Sequence, residues 1–205
     1  IMTEIANPRT ALTLVLALVL LAYPATSGTD DHDVFTDDFS QPIEGRWETI
    51  EGEWEVNDGH LSQTDASGYT RRFMLADFPF SEGTVEVQGT PQAYNGIGFA
   101  SIGIILRYVD ENNYLMFRYG SYGVLNLDGA APGDWDGVVF GSVTPEPGET
   151  HRLKAVMENG MIGLSTDGVM HTIMHDPLGP VTGRAGLFTE THADFDDFRV
   201  VRTKP

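Results

Sequence analysis

Residues 11–25 form an almost unbroken apolar run, and beyond residue 27 the pattern changes to short stretches in which apolar and polar side chains alternate. Alternation sends every second side chain to the same face, so each stretch predicts a half-buried β-strand. Examples are Trp54-Glu55-Val56, Thr84-Val85-Glu86-Val87-Gln88, Arg152-Leu153-Lys154-Ala155-Val156 and Ile162-Gly163-Leu164-Ser165. Turn formers follow three of them: Asn57-Asp58-Gly59, Asn159-Gly160 and Asp167-Gly168. Asn, Asp and Gly tolerate the left-handed backbone that tight turns require. Strands punctuated at intervals of about 8–12 residues predict an antiparallel sandwich. No stretch after residue 30 keeps a helical period over three turns. The expected organisation is an N-terminal segment (1–27), a linker (28–33), one sandwich domain (34–202) and a tail (203–205).

One hairpin stands out, running from Ser101 to Val109, turning through Asp110-Glu111-Asn112-Asn113, and returning along Tyr114–Gly120. Pairing Val109 with Tyr114 sorts its side chains onto two faces. Ile104, Leu106, Tyr108, Leu115, Phe117 and Tyr119 fall on the core side. Ile105, Arg107, Val109, Tyr114, Met116 and Arg118 fall on the other, where two guanidinium groups sit beside aliphatic and aromatic surface. Such a face suits a ligand groove or a contact with another protein, and Tyr122 extends it. On the loop 131–141, Trp135 stands between two Asp residues, placed to stack on a sugar ring or to anchor a partner.

Charge narrows the partners. The formal net charge is -18, and a surface this acidic repels nucleic acid, whose binding needs Lys and Arg to displace counterions. There is no cysteine, hence no disulfide framework and no thiolate chemistry. Arg9 precedes the apolar run and small residues follow it at Ala25-Thr26-Ser27. At about 13–15 residues the run fits a signal-peptide core and falls short of the roughly 20 that span a bilayer comfortably. Kept uncleaved, it would be an anchor with the Arg9 end inside and the acidic domain outside. Either way the domain is expected outside the cytoplasm, and the reading taken forward is a single-span anchor. Asn7-Pro8-Arg9 leading into this run resembles the start of light-harvesting alpha polypeptides of photosynthetic bacteria. The His that ligates bacteriochlorophyll in that family is missing from the run.

A broader resemblance is carried by Asp38-Phe39, Gly45-Arg46-Trp47, the stretch from Gly52 to Leu61, Gly83-Thr84-Val85-Glu86-Val87, Leu106-Arg107-Tyr108, Asn113-Tyr114, Gly186-Leu187-Phe188 and the stretch from Asp194 to Val200. In this order they resemble the concanavalin A-like lectin/glucanase superfamily, in its laminin-G-like branch, over residues 34–202. The resemblance implies an all-β jelly roll of two curved antiparallel sheets, with first and last strands adjacent. It also implies a structural calcium. Asp37 and Asp38 at one end and Asp194, Asp196 and Asp197 at the other would then supply its oxygen ligands.

The superfamily includes lectins, glycosidases, adhesion modules and structural domains, so fold alone does not deliver activity. Its glucanases use a Glu-x-Asp-x-x-Glu strand to set two carboxylates on one face, and this chain has no such strand. Nor does it carry a nucleophile elbow or a phosphate loop. The expectation is a non-catalytic, membrane-anchored accessory or scaffolding subunit of a membrane complex, with a photosynthetic complex as the hint. The alternatives are a secreted lectin-like carbohydrate-binding module and a divergent glycoside hydrolase.

Overall fold

The computed structural model describes residues 32–65, 70–130 and 137–203. The apolar N-terminal run and Trp135 lie outside the described residues, as does the side chain of Tyr122. Among the described residues no helix is long and apolar enough to cross a membrane. The strands run β1 (His32–Asp37), β2 (Trp47–Glu51), β3 (Trp54–Asn57), β4 (His60–Gln63), β5 (Arg72–Phe80), β6 (Gly83–Pro91), β7 (Ile102–Asp110) and β8 (Asn113–Tyr119). After a single 3-10 turn at Ser121–Gly123 come β9 (Val124–Ala130), β10 (Val138–Ser142), β11 (His151–Glu158), β12 (Met161–Thr166), β13 (Val169–His175), β14 (Gly183–Thr189) and β15 (Ala193–Thr203).

They build two antiparallel sheets. One has eight strands in the order β13-β12-β11-β6-β15-β4-β3, with β1 also paired to β15. The other has seven, in the order β10-β9-β8-β7-β14-β5-β2. First and last strands pair as expected, Asp37 opposite Phe198 and His32 opposite Thr203. The predicted turns form as written: Asp58, Asn159 and Asp167 take φ near +50°, each followed by a left-handed glycine.

Alternation fills the space between the sheets. Val85, Val87, Leu153, Ala155, Ile162, Leu164 and Phe198 face inward from one sheet, and Met74, Ile104, Leu106, Leu115, Phe117 and Leu187 from the other, all buried. Near the end of β1, Trp47 packs edge-on to Phe198 with ring centroids 4.8 Å apart. Its indole N–H donates to Asp37 at 2.7 Å, joining the two sheets across the core. Arg46 closes this corner with an ion pair to Asp37 at 2.9 Å.

The β7–β8 hairpin departs from the expected register. Tyr108, not Val109, lies opposite Tyr114, and the pairing shifts twice, between Ile105 and Arg107 and between Tyr108 and Asp110. A one-residue slip moves a side chain to the opposite face. Tyr108 therefore leaves the core side for the outer face, and Arg107 leaves the outer face. Period two alone could not reveal a bulge, since the extra residue interrupts the alternation.

Replacing the buried Phe198 by Ala should cost about 3–5 kcal/mol, because it leaves a cavity beside Trp47. Val139→Ala, at a side chain 63% exposed, should change stability by no more than about 0.5 kcal/mol. Urea denaturation of the two variants checks the contrast; equal losses would refute this assignment of the core.

Candidate functional site

The outer face of the seven-stranded sheet carries a second, smaller apolar cluster made of Phe73, Leu75, Ile105, Tyr114, Met116 and Phe188, with Tyr108 packed against it. Each arrives by alternation on strands whose other face fills the core. Tyr108 and Tyr114 stack with centroids 5.9 Å apart, and Phe73 meets Tyr114 edge-on at 5.4 Å. Gly103 lies opposite Arg118 in the ladder. A Cβ there would stand 2.8 Å from the Phe188 ring and 2.5 Å from the Phe117 carbonyl, so only glycine lets that ring lie beneath the guanidinium.

Arg118 sits over Phe188 at 5.3 Å and is itself buried. Its guanidinium donates to Glu190 at 2.9 Å, and also to Asp128 and to the Ser121 hydroxyl. Ser121 in turn donates to Glu190, whose backbone N–H is held by Ser101 Oγ at 3.1 Å. Desolvating such ions costs several kcal/mol each, offset only where geometry satisfies them all. The planar fork of arginine does this for two carboxylates at once.

From the sheet's rim, Arg71, with its side chain 43% exposed, lies 3.6 Å from Asp128 and donates to the Tyr114 hydroxyl. Asp128 is thus held between two guanidinium groups. Asn126, two residues earlier on β9, shares its face, and its Oδ1 is buried without a hydrogen-bond partner among the described residues. Burial, and then the nearby Glu111 and Asp110 carboxylates, raise the pKa of Tyr108, so it presents a neutral ring at physiological pH.

The expected surface residues separate. Tyr114, Met116 and Arg118 come together here. Arg107 does not: it points between the sheets, paired with Asp176 at 2.5 Å and donating to the Gly179 carbonyl at 2.5 Å, where it fastens the 176–181 loop. Glu86 lies on the other sheet and pairs with Arg152 at 2.6 Å. Asp128, Glu190 and Asn126 were missed. Asp128 and Asn126 had a signal, as polar residues alternating along a strand next to Arg118; Glu190 reaches Arg118 only through the order of strands.

The aspartates expected to ligate calcium each accept hydrogen bonds from protein donors. Asp37 accepts from Trp47, Phe39 N and Arg46, and Asp38 from the Ser40 hydroxyl and amide. Asp194 accepts from Ser62 and Gln92, and Asp196 from the amide of Asp197. Asp197 accepts from Gln88. Strand pairing brings Asp37, Asp38 and Asp197 to one groove, yet among the described residues no group of three acidic or histidine side chains is placed to hold an ion.

At the sandwich edge, His151 Nδ1 lies 2.8 Å from Asp167 and its ring stands 4.9 Å from Tyr119. An extra residue on β13 between Met170 and Thr172 sets His171 beside Phe140, centroids 6.5 Å apart. Burial pushes the His171 imidazole below its usual range, with the Asp167 carboxylate working against the shift.

No protein-family model and no curated protein matches the chain. Solved structures do match in fold. A carbohydrate-binding module, CBM66, from Bacillus subtilis aligns with a TM-score of 0.57 at 16% identity, covering 77% of this chain and 92% of that one. The Crh5 transglycosylase aligns at 0.64 and 16% identity, covering 84% and 85%. A Bacillus licheniformis β-glucanase aligns at 0.61 and 11% identity, covering 88% and 100%. The chain shares the two-sheet antiparallel jelly-roll fold of these structures. At these identities the likeness establishes shape and not activity. The expected accessory subunit of a membrane complex, photosynthetic or other, is corrected on the names of these neighbours, a carbohydrate-binding module, a transglycosylase and a β-glucanase, which favour the carbohydrate-related alternatives. Two of them are enzymes, so the expectation that the chain is not an enzyme falls as well.

Two outcomes test this geometry. Arg118→Met leaves the buried Glu190 carboxylate without its cation and Asp128 with Arg71 alone, and should destabilise the fold by about 3–5 kcal/mol in urea denaturation; a loss under about 1 kcal/mol would show that the network is not closed as described. A His pKa lowered by folding contributes stability that is complete above the unfolded value, about 6.5, and is lost as pH falls through the folded value. The thermal midpoint of the wild type should therefore drop further than that of His171→Gln on going from about pH 7 to about pH 5. Parallel curves would count against burial of His171.

Proposed function

We propose that the chain is an exported carbohydrate-recognition domain that takes a glycan across the outer face of the seven-stranded sheet, along Tyr108, Arg71, Asp128 and Asn126. The observation that carries this reading is the pair Asp128 and Asn126. One is a carboxylate fixed between two guanidinium groups, the other a buried amide oxygen that lacks a donor among the described residues. A sugar ring offers hydroxyls that donate and accept in fixed directions around an apolar C–H face. Fixed carboxylate, amide and guanidinium groups match the hydroxyls, and a neutral tyrosine ring matches the C–H face. Arg118, itself fixed by Glu190, holds Asp128 in place, so little ordering remains for the moment of binding.

The fold neighbours support the same class of ligand. The apolar run after Arg9 supports export, placing the domain where glycans are met outside the cytoplasm. A glycan has to lie on this face whether it is only held or also cleaved, and Asp128 and Glu190, both on one guanidinium, are the carboxylates that a cleavage reaction at this face would draw on.

Affinity electrophoresis against a panel of plant and bacterial polysaccharides, with product analysis of the same mixtures, tests the proposal. At least one polysaccharide should retard the wild type. Asp128→Asn and Asn126→Ala should each weaken that retardation by about tenfold or more, the effect of losing a hydrogen bond at a charged or unpartnered buried group, while the thermal midpoint stays close to wild type in Asn126→Ala. Released oligosaccharides that disappear with Glu190→Gln would make the domain an enzyme at this face. Retardation by none of the panel, or retardation that both variants retain, would overturn it.

A further inference from the structure

The two sheets end together on one side of the sandwich. β13 is the last strand of the eight-stranded sheet and β10 the last of the seven-stranded one. The two lie against each other, with Phe140 of β10 stacked on His171 of β13. Neither strand holds an Asp, Glu, Lys, Arg or Pro. Of the eleven large apolar side chains exposed among the described residues, five are here: Val138, Val139, Val169, Met170 and Ile173. Ile173 is 65% exposed and Met170 53%. Both reach over Gly163 of β12, within 4.0 Å of where a Cβ would stand, so β12 offers no side chain there to cover them.

The opposite ends of the sheets are built differently. β2 carries Glu48 and Glu51, β3 carries Glu55, and Glu53 stands in the link between them. Charge of this kind is how native sheets keep a further strand from pairing with an edge. β13 lacks that guard. Its outer edge pairs with no strand among the described residues, and an antiparallel ladder turns the N–H and C=O of alternate residues away from the partner it already has. The acids at the two ends of β13 are engaged elsewhere. Asp167 accepts from the Arg152 amide and lies 2.8 Å from His151 Nδ1, and Asp176 pairs with Arg107 at 2.5 Å.

We propose that β13 is the interface of a homodimer, pairing antiparallel with β13 of a second copy so that the eight-stranded sheet continues across a two-fold axis. A two-fold contact sets one patch against itself, so carboxylates in the patch would face carboxylates. Two copies of a chain with net charge -18 repel each other across their acidic surfaces. At the β13 edge they bring together apolar side chains and unpaired backbone groups instead. The axis of an antiparallel pair stands perpendicular to the sheet, so the outer faces of both seven-stranded sheets look to the same side. A repeating polysaccharide then meets two sites at once; that consequence rests on the glycan reading above, and the dimer does not.

Sedimentation equilibrium of the full chain, in a non-ionic detergent matched to the solvent density, reads the mass. The wild type should sediment as a dimer at about 10 μM. Ile173→Lys brings like charges together at the axis and should raise the dissociation constant at least about tenfold. Val34→Lys, at a side chain 52% exposed on β1, should leave it unchanged, and both variants should keep the wild-type circular dichroism. Hydrogen exchange of the β13 amides should quicken as the wild type is diluted. A wild type still monomeric at about 100 μM would overturn the proposal. So would a dimer that survives Ile173→Lys, which would place the contact in the apolar run or on another surface. Protection of β13 that does not change with dilution would put another segment of the same chain on this edge, and would overturn it too.

Discussion

The structure depends on β15, the eleven-residue last strand, which pairs with β6 on one side and with β4 and β1 on the other. It ties the two ends of the domain together and builds the centre of the eight-stranded sheet. The strand before it, β14, occupies the middle of the other sheet, between β7 and β5. Two consecutive strands thus hold the centres of opposite sheets, and the short link between them fixes how the sheets face each other. With no cysteine in the chain, closure rests on packing and on a few inter-sheet bonds, of which Trp47 to Asp37 is the clearest.

Irregularities in the ladders matter more for chemistry than the regular stretches. The shifts in β7 turn Arg107 inward to hold a loop and bring Tyr108 outward beside Tyr114. The bulge in β15 leaves Asp197 and Arg199 lining a groove. The extra residue in β13 sets His171 against Phe140. In each case a single added residue changes which face a side chain occupies, because a strand has only two faces. Regular alternation builds the core, and its interruptions select what the outer faces present.

Charge is distributed with a similar logic. The excess of carboxylates is spread over exposed turns and strand edges, where water screens it. Where charge is buried, it is paired: Arg118 with Asp128 and Glu190, Arg107 with Asp176, and Arg72 with Asp65 at 2.8 Å. Pairs of this kind are a poor source of stability compared with apolar packing, but they set oxygen and nitrogen atoms in fixed places. That is the property a polar ligand needs from a rigid sheet.

Alternation and turn chemistry by themselves determined that the domain is an antiparallel sandwich, where its tight turns fall, and that Tyr114, Met116 and Arg118 share a face. These are local matters, decided by the two-residue period of a strand and by the residues that accept left-handed backbone. The pairing of first and last strands was legible only through resemblance to a known fold. Only the tertiary structure decided that Arg107 turns inward, that Glu190 meets Arg118 from 72 residues away, and that Trp47, Ser40, Gln88 and Gln92 donate to Asp37, Asp38, Asp197 and Asp194. A bulge leaves no mark in the alternation that tells which strand holds the extra residue. Contacts between distant strands follow from sheet order, which is set by burying all the inward faces at once rather than by any one stretch of chain.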